Sequence, residues 1–236
     1  SDFQYHDNGS GIYISGYNGS AETLVLPAEI GGVAVVAISD WLSFPNIVRR
    51  VVIPSSAVSV PNFSRASFIE AILVSPGNPD FLSVDGVVYS KAMDEIVACP
   101  RGKTGEFTIP SSVTAIGPNA FYNCTGLTGD LVIPDGVTTI GSWAFSSCDG
   151  LTSVTIGTGV ESIGHNAFYS RRGQLSRVNF LGDAPSMGNG VFGSGASDFR
   201  VTFLAGAQGF SSPEWMGYPA YAILSEQELE WTEEGN

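Results

Sequence analysis

The chain contains an internal repeat of 23 to 24 residues, and this period limits the possible folds more than any other feature. Three successive segments are nearly alike: TIPSSVTAIGPNAFYNCTGLTG, VIPDGVTTIGSWAFSSCDGLTS and TIGTGVESIGHNAFYSRRGQLSR. Equivalent positions step by 24, 23, 24 and 23 residues along Ile109, Ile133, Ile156, Phe180 and Phe203. A fixed period of about 20 to 50 residues is typical of solenoids, in which each unit contacts only its neighbours.

Apolar residues recur at the same positions of each unit. Twelve residues after the first four marks come Phe121, Phe145, Phe168 and Phe192. The run LTSVTI predicts a strand that points Val154 and Ile156 inward, because its last three positions alternate. The glycine after the second isoleucine permits a tight turn, and the N-A-F segment fits one helical turn. Since a single unit cannot bury its apolar face, stacked units are expected to form a parallel sheet and one continuous core.

The pattern I-P-x-x-V-x-x-I-G-x-x-A-F-x-x-C-x-x-L resembles the BspA-like leucine-rich repeats of bacterial cell-surface proteins, from Ile109 to Leu204. The resemblance implies a leucine-rich-repeat solenoid of the α/β class, dominated by β-structure. It implies a parallel sheet on the concave side and short helical or 3-10 turns on the convex side. Strand–crossover–strand connections are strongly right-handed, so we expect a right-handed solenoid.

We expect a single domain over residues 1–236, although the period breaks twice. Residues 1–74 resemble degenerate opening repeats, in which Asn62-Phe63-Ser64 replaces the A-F-x-x-C element. Residues 75–108 predict an insert with a β-hairpin near 75–105, because Asp85-Gly86 between two β-rich runs suits a type I′ turn. Residues 109–205 are the regular repeats, and residues 206–236 are expected to form a C-terminal cap and an acidic tail.

The charge of the chain argues against two kinds of partner. A formal net charge of −13 would repel nucleic acid and anionic lipid. No stretch approaches the ~20 apolar residues of a membrane helix. The sequence opens without a methionine, which we interpret as a mature or trimmed chain. We expect a monomer that is extracellular or located at the bacterial cell surface.

The residues most able to carry out catalysis or bind metals lack a supporting pattern. His165 occupies a variable slot of the repeat and His6 lies near the start of the chain, so both are interpreted as surface residues. Asp94-Glu95 lacks the ligand spacing of a calcium loop and is interpreted as a solvated turn. We therefore expect no catalytic residue, no metal and no cofactor.

Cysteines and tryptophans leave two interpretations open. Cys124 and Cys148 share a register in adjacent units, so they are either free buried thiols or a disulfide. Cys99 in EIVACP is expected to be packed. Either tryptophan could stack on a sugar. Otherwise Trp143 is a partly exposed residue at a variable convex position, and Trp215 packs in the C-terminal cap.

Outward positions of the predicted strands form the candidate binding surface, because the open sheet is the usual recognition surface of a solenoid. Arg177 and Arg200 occupy the same register in consecutive units, next to Asn179 and Thr202, and Arg172 is close in sequence. The candidate patch is Arg177, Arg200, Asn179, Thr202, Arg171 and Arg172. It either binds a carboxylate-bearing partner or supplies solubilising charge.

These observations favour a non-catalytic binding module, with a protein or glycan ligand. The resemblance implies adhesion or host interaction through the solenoid surface. The alternatives are a structural spacer within a larger surface protein and, third, a glycan-acting enzyme with two of the scattered carboxylates. An open solenoid rarely offers the cleft that such an enzyme needs.

Overall fold

A computed structural model describes residues 2–224 except 44, 62, 64, 65, 171, 173 and 194, and these residues form strands and turns without a helix. The strands are β1 (Phe3–Asp7), β2 (Ile12–Tyr17), β3 (Thr23–Val25), β4 (Glu29–Ile30), β5 (Val33–Ser43), β6 (Arg50–Ile53), β7 (Ala71–Val74), β8 (Phe81–Val84), β9 (Val87–Ser90), β10 (Glu95–Ala98), β11 (Ala115–Ile116), β12 (Gly129–Ile133), β13 (Thr139–Ile140), β14 (Leu151–Ile156), β15 (Ser162–Ile163), β16 (Arg177–Phe180), β17 (Ser186–Met187), β18 (Arg200–Leu204), β19 (Glu214–Trp215) and β20 (Tyr218–Ile223). In this part of the chain there is no helix with the length and apolarity that crossing a membrane requires.

The strands form four sheets. The C-terminal sheet has the order β12-β14-β16-β18-β20-β19, and the second sheet has the order β17-β15-β13-β11-β10-β9-β8. The N-terminal sheet is β3-β6-β7, and a four-stranded sheet has the order β1-β2-β5-β4. The three coils that begin with β12, β14 and β16 therefore each supply one longer strand to the C-terminal sheet and one two-residue strand, β13, β15 or β17, to the second sheet.

The register of the C-terminal sheet confirms the repeat alignment. Ile133 pairs with Ile156, Ile156 with Phe180 and Phe180 with Phe203, all in parallel strands. These are the residues that mark the period in the sequence. β20 adds the last parallel strand, and Trp215 beside it is buried and donates its indole N–H to Gly209 O at 3.0 Å. The expected packing of Trp215 is confirmed.

The expected hairpin is also present. β8 and β9 pair antiparallel around Asp85 and Gly86, whose φ angles of 49° and 78° suit a type I′ turn. β9 then pairs antiparallel with β10, and β10 pairs in parallel with β11 of the first regular coil. The insert thus continues the second sheet.

The expected helical or 3-10 turns are wrong for the turn side of the coils, where the N-A-F segments lie. Phe121 N donates to Ala144 O and Phe145 N to Ala167 O, both at 2.7 Å, so these amides bond to the next coil. The intervening Ala120 N bonds within its coil to Gly117 O at 3.2 Å. An amide that bonds to the next coil cannot make the i→i−4 bond of a helix. Stacking between coils therefore replaces the local helix.

The interior is divided, which corrects the expectation of one continuous core. The regular coils contain a phenylalanine column, with ring centroids 4.7 Å apart for Phe121 and Phe145, 5.1 Å for Phe145 and Phe168, and 6.0 Å for Phe168 and Phe192. A second cluster fills the N-terminal region. The clusters meet at β9 and β10: Val88 and Ala98 belong to the N-terminal cluster, whereas Val87, Tyr89 and Ile96 belong to the other. The insert strands therefore separate the two cores.

Candidate binding surface

The outer face of the C-terminal sheet is formed by the strand positions that alternate with the apolar core positions. One row pairs Asp130 with Ser153, Ser153 with Arg177, and Arg177 with Arg200. The other row, which we call the ladder row, pairs Val132 with Thr155, Thr155 with Asn179, and Asn179 with Thr202. The register expected for these outward positions is confirmed.

The ladder row is fixed by side-chain hydrogen bonds between strands. Asn179 Nδ2 donates to Thr155 Oγ1 at 3.3 Å, and Thr202 Oγ1 donates to Asn179 Oδ1 at 2.6 Å. Asn179 and Thr202 are only 6% and 7% exposed. Their polar groups thus bond to one another, so these two residues stiffen the face and offer little surface for contact.

Arg177 and Arg200 lie side by side at the other row. Their Cα atoms are direct partners in adjacent parallel strands, which are about 4.8 Å apart in such a sheet. Both residues are partly buried. Like charges directly opposite each other destabilise a sheet, so an anion between the two guanidinium groups would be favourable.

The opposite end of the same row is acidic. Asp130 Oδ1 accepts a hydrogen bond from Ser153 Oγ. Beyond it, Glu106 and Thr108 do not form the strand that the repeat predicts, and a recess of about 190 Å³ lies between this segment and β12. The row therefore changes from acidic at Asp130 to basic at Arg200.

Of the other two predicted arginines, the structure describes only Arg172. Arg171 lies outside the described residues. Arg172 forms an ion pair with Asp149, with Nε 3.4 Å from Oδ2, and its side chain is 77% exposed. Ser170 Oγ also donates to Asp149, at 3.0 Å. Arg172 is thus neutralised by a carboxylate of its own chain.

One residue of the face was not predicted from the sequence. Tyr221 on β20 pairs with Thr202 and is 48% exposed, so it continues the ladder row by one strand. The signal was the β-rich run YPAYAI, which we assigned only to the cap. An exposed aromatic residue next to a basic pair is a common contact residue in protein interfaces.

The cysteines form a buried column of free thiols. Cys99, Cys124 and Cys148 are all buried and none is in a disulfide. Cys148 Sγ donates to Phe121 O at 3.0 Å, and Cys124 Sγ contacts Cys99 O at 3.8 Å. Burial raises the pKa of the Cys99 thiol, and a hydrogen bond with Cys124 raises it further. Burial also raises the pKa of the Cys148 thiol, and the nearby Cys124 thiol raises it further. Protonated thiols of this kind are poor nucleophiles.

The histidines have structural contacts. His165 is exposed, and its Nδ1 accepts the backbone N–H of Asn189 at 2.9 Å. His6 stacks on Tyr13 with ring centroids 5.3 Å apart. Among residues 2–224, outside the seven undescribed positions, no group of three or more His, Cys, Asp or Glu side chains is placed to hold a metal ion.

Comparison with known proteins identifies the repeat. Residues 100–203 match the family model of the BspA type leucine rich repeat region, in six copies. These residues are therefore similar to the BspA-type leucine-rich repeat family, as the sequence pattern predicts. No curated protein shows significant similarity to the chain.

Two solved structures are similar in fold. The pneumococcal vaccine antigen PcpA aligns with a TM-score of 0.61 and 18% identity, over 80% of this chain and 54% of that one. A leucine-rich repeat protein from Eubacterium ventriosum aligns with a TM-score of 0.60 and 26% identity, over 80% of this chain and 48% of that one. The chain thus spans about half the length of these proteins. The fold is a β-solenoid of stacked coils with leucine-rich-repeat neighbours.

Proposed function

We propose that this chain is a non-catalytic binding module that recognises a carboxylate-bearing protein through the outer face of the C-terminal sheet. The observation that carries the proposal is the direct pairing of Arg177 with Arg200 across adjacent strands. Two planar guanidinium groups at one strand spacing can bind one carboxylate cluster with several charge-assisted hydrogen bonds. Such a cluster would also relieve the repulsion between the two arginines.

Preorganisation of the face supports the same function. The bonds that link Thr155, Asn179 and Thr202 hold three consecutive strands beside the arginine pair. A partner that binds a rigid surface loses less conformational entropy in ordering it. Asn179 and Thr202 are therefore proposed as positioning residues, and Tyr221 as a contact at the rim. Arg172 and Arg171 are proposed only as flanking charges.

The setting of the module is part of the proposal. We place it in an extracellular or bacterial surface protein, because PcpA is a vaccine antigen with the same fold. The chain is proposed to act as a monomer and as one domain, with coils that wind right-handed and carry the C-terminal sheet on the concave side. Within it, residues 1–74, 75–108, 109–205 and 206–236 would be the opening repeats, the insert, the regular repeats, and the cap with its tail.

A binding screen with matched charge variants tests the proposal. The native chain is screened against extracellular proteins and a glycan array, with poly-glutamate as a defined carboxylate probe. We expect Arg177→Ala/Arg200→Ala to lower affinity at least tenfold, and binding to weaken from 0.05 to 0.5 M salt. Arg49→Ala/Arg50→Ala removes the same charge from the N-terminal region and should have little effect. Equal losses from the two double variants would show that only net charge matters. An uncharged ligand that loses affinity with Arg177→Ala/Arg200→Ala but not with Arg49→Ala/Arg50→Ala would contradict the choice of partner.

A further inference from the structure

A second surface with different chemistry lies on the turn side of the regular coils. Trp143 is 39% exposed there, between Tyr122 of the preceding coil and Tyr169 of the following coil. Its ring centroid is 6.2 Å from that of Tyr122 and 6.4 Å from that of Tyr169, both edge-on. Arg101, almost fully buried, lies 4.9 Å from the Tyr122 ring and helps to orient it. We call Tyr122, Trp143 and Tyr169 the aromatic triad.

Trp143 has an unfavourable backbone conformation for its residue type. Its φ of 61° lies in the left-handed region, and the equivalent residues of the other coils are Asn119 at 59°, Asn166 at 52° and Gly190 at 64°. Asparagine and glycine tolerate this region, whereas a large aromatic residue rarely occupies it. Residues held in such strained backbone conformations cluster at functional sites, including ligand-binding sites.

The coil positions next to Trp143 carry uncharged polar residues. The positions beside it in this coil and its neighbours are Asn119, Asn123, Ser142, Ser147, His165 and Asn166, in a chain whose net charge is −13. Hydrogen bonds join these positions from coil to coil: Asn119 N donates to Ser142 O at 3.0 Å, and Trp143 N to His165 O at 2.9 Å. Residues whose amide and hydroxyl groups can both donate and accept therefore occupy the backbone positions beside an exposed aromatic ring.

We propose that the aromatic triad binds a neutral glycan. The apolar C–H face of a pyranose ring would stack on the Trp143 indole, and its hydroxyl edge would bond to the carboxamides of Asn119 and Asn166. These carboxamides belong to coils on either side of Trp143, about 10 Å apart from two strand spacings of about 4.8 Å. A flat aromatic surface with a few polar groups at its rim is the usual chemistry of small-ligand recognition.

The backbone on this side excludes an extended peptide as the partner. A peptide that adds to a sheet needs free N–H and C=O groups along an edge. Here those groups already bond coil to coil, as in Phe121 N to Ala144 O and Phe145 N to Ala167 O. A neutral glycan is the ligand that best fits the aromatic triad and the uncharged polar residues at the positions beside it.

Substitution of Trp143 by the residue of its sister coils separates binding from packing. An array of neutral hexose and N-acetylhexosamine oligosaccharides is probed with the native chain and with Trp143→Asn. We expect selective binding by the native chain, insensitive to salt, and at least a tenfold loss for Trp143→Asn. The melting temperature of that variant should be equal or higher, because asparagine relieves the strained φ. Tyr5→Asn, which removes an exposed aromatic residue from β1 of the four-stranded sheet, is the control and should bind glycans normally.

Two outcomes would overturn the glycan site. The first is the absence of binding to any neutral glycan at millimolar concentration. The second is a Trp143→Asn variant that melts several degrees lower, because Trp143 would then be a packing residue. Neither outcome affects the arginine pair, whose binding depends on salt and on Arg177 and Arg200.

Discussion

The N-terminal and C-terminal sheets have the same parallel register but opposite outer-face chemistry. In the N-terminal sheet, Val25 pairs with Val52 and Val52 with Leu73, and Val25 is 61% exposed. In the C-terminal sheet the corresponding positions, such as Thr155 and Asn179, hydrogen-bond from strand to strand. The same backbone thus presents an apolar row in one region and a locked polar row in the other. Recognition chemistry in this fold is therefore set by side chains and not by strand geometry.

The interiors of the two regions differ as well. The largest fully buried side chains include Phe121, Phe180 and Phe192 in the regular coils, but Ile14, Leu24, Ile53, Ile69 and Ile72 in the N-terminal region. The N-terminal cluster also takes in residues of the four-stranded sheet, whose β2–β5 pairing is irregular. Where the A-F-x-x-C element is missing, the coil thus loses its phenylalanine column and packs aliphatic residues from a second sheet.

Removing a ring from the phenylalanine column should give the largest effect. Phe145→Ala is expected to lower the free energy of unfolding by about 3–5 kcal/mol, because a cavity opens between two stacked rings. Ile72→Val in the N-terminal cluster should cost only about 0.5–1.5 kcal/mol. Chemical denaturation measures both. A loss below ~1 kcal/mol for Phe145→Ala would mean that the column does not stabilise the regular coils.

Close stacking of the coils gives the next prediction. A Cβ on Gly164 would lie 2.5 Å from Ser142 N and 2.8 Å from Gly141 C, which are backbone atoms of the preceding coil. Gly164→Ala should therefore cost about 1–3 kcal/mol by forcing the coils apart. Gly136→Ala is the matched control, since its Cβ would meet nothing closer than 3.6 Å. Equal stability of the two variants would show that the coil spacing adapts.

Substitution of Asn179 tests whether the hydrogen bonds of the ladder row stabilise the C-terminal sheet. Asn179→Ala leaves the hydroxyls of Thr155 and Thr202 without their amide partner in a buried setting, and should cost about 1–3 kcal/mol. The equivalent change on the N-terminal face, Val52→Ala, affects only a partly exposed methyl pair and should cost less. Thermal unfolding of both variants measures the difference. A larger loss of stability from Val52→Ala than from Asn179→Ala would contradict the proposal that the polar ladder row stabilises its sheet more than the apolar row does.

The smallest effect concerns pH and is confined to the cysteine column. Burial raises the pKa of Cys99 and Cys148 in the folded chain, so these thiols ionise more readily when the chain unfolds. The contribution of the two protonated thiols to the free energy of unfolding is therefore present below the unfolded thiol pKa of about 8.5, and it is lost as the pH rises above that value. Urea denaturation between pH 7 and 10 should show a decline that Cys148→Ala reduces. A pH-independent stability over this range would contradict the buried, protonated thiols.

The repeat made much of this architecture predictable, and neighbouring coils decided the rest. Ile133, Ile156 and Phe180 mark both the period and the strand register, because stacked units of equal length must pair in phase. A helical turn was predicted for the N-A-F segments because a short sequence pattern indicates only hydrogen bonds between nearby residues. In the structure, the amide of Phe121 instead bonds to a residue 23 positions later. The irregular N-terminal region has no such period, so its four-stranded sheet and separate core were not foreseen.

The candidate surface divides in the same way. The pairing of Arg177 with Arg200 followed from register alone. The burial of Asn179 and Thr202 did not, because it depends on side-chain bonds to both neighbouring strands. The ion pair of Arg172 with Asp149 was also not predicted, although the two residues occupy the same register in consecutive coils. The repeat period thus predicts which residues are neighbours in the sheet, whereas the exposure of each side chain depends on its contacts with neighbouring coils.

A double-mutant cycle on the arginine pair tests the central proposal most directly. Binding of the partner selected in the screen is measured for the native chain, Arg177→Ala, Arg200→Ala and the double variant. If both guanidinium groups hold one carboxylate cluster, the losses will not add, and the coupling energy should be about 1 kcal/mol or more. Additive losses, or losses no larger than those of Arg49→Ala and Arg50→Ala, would contradict a shared anion site on the outer face of the C-terminal sheet.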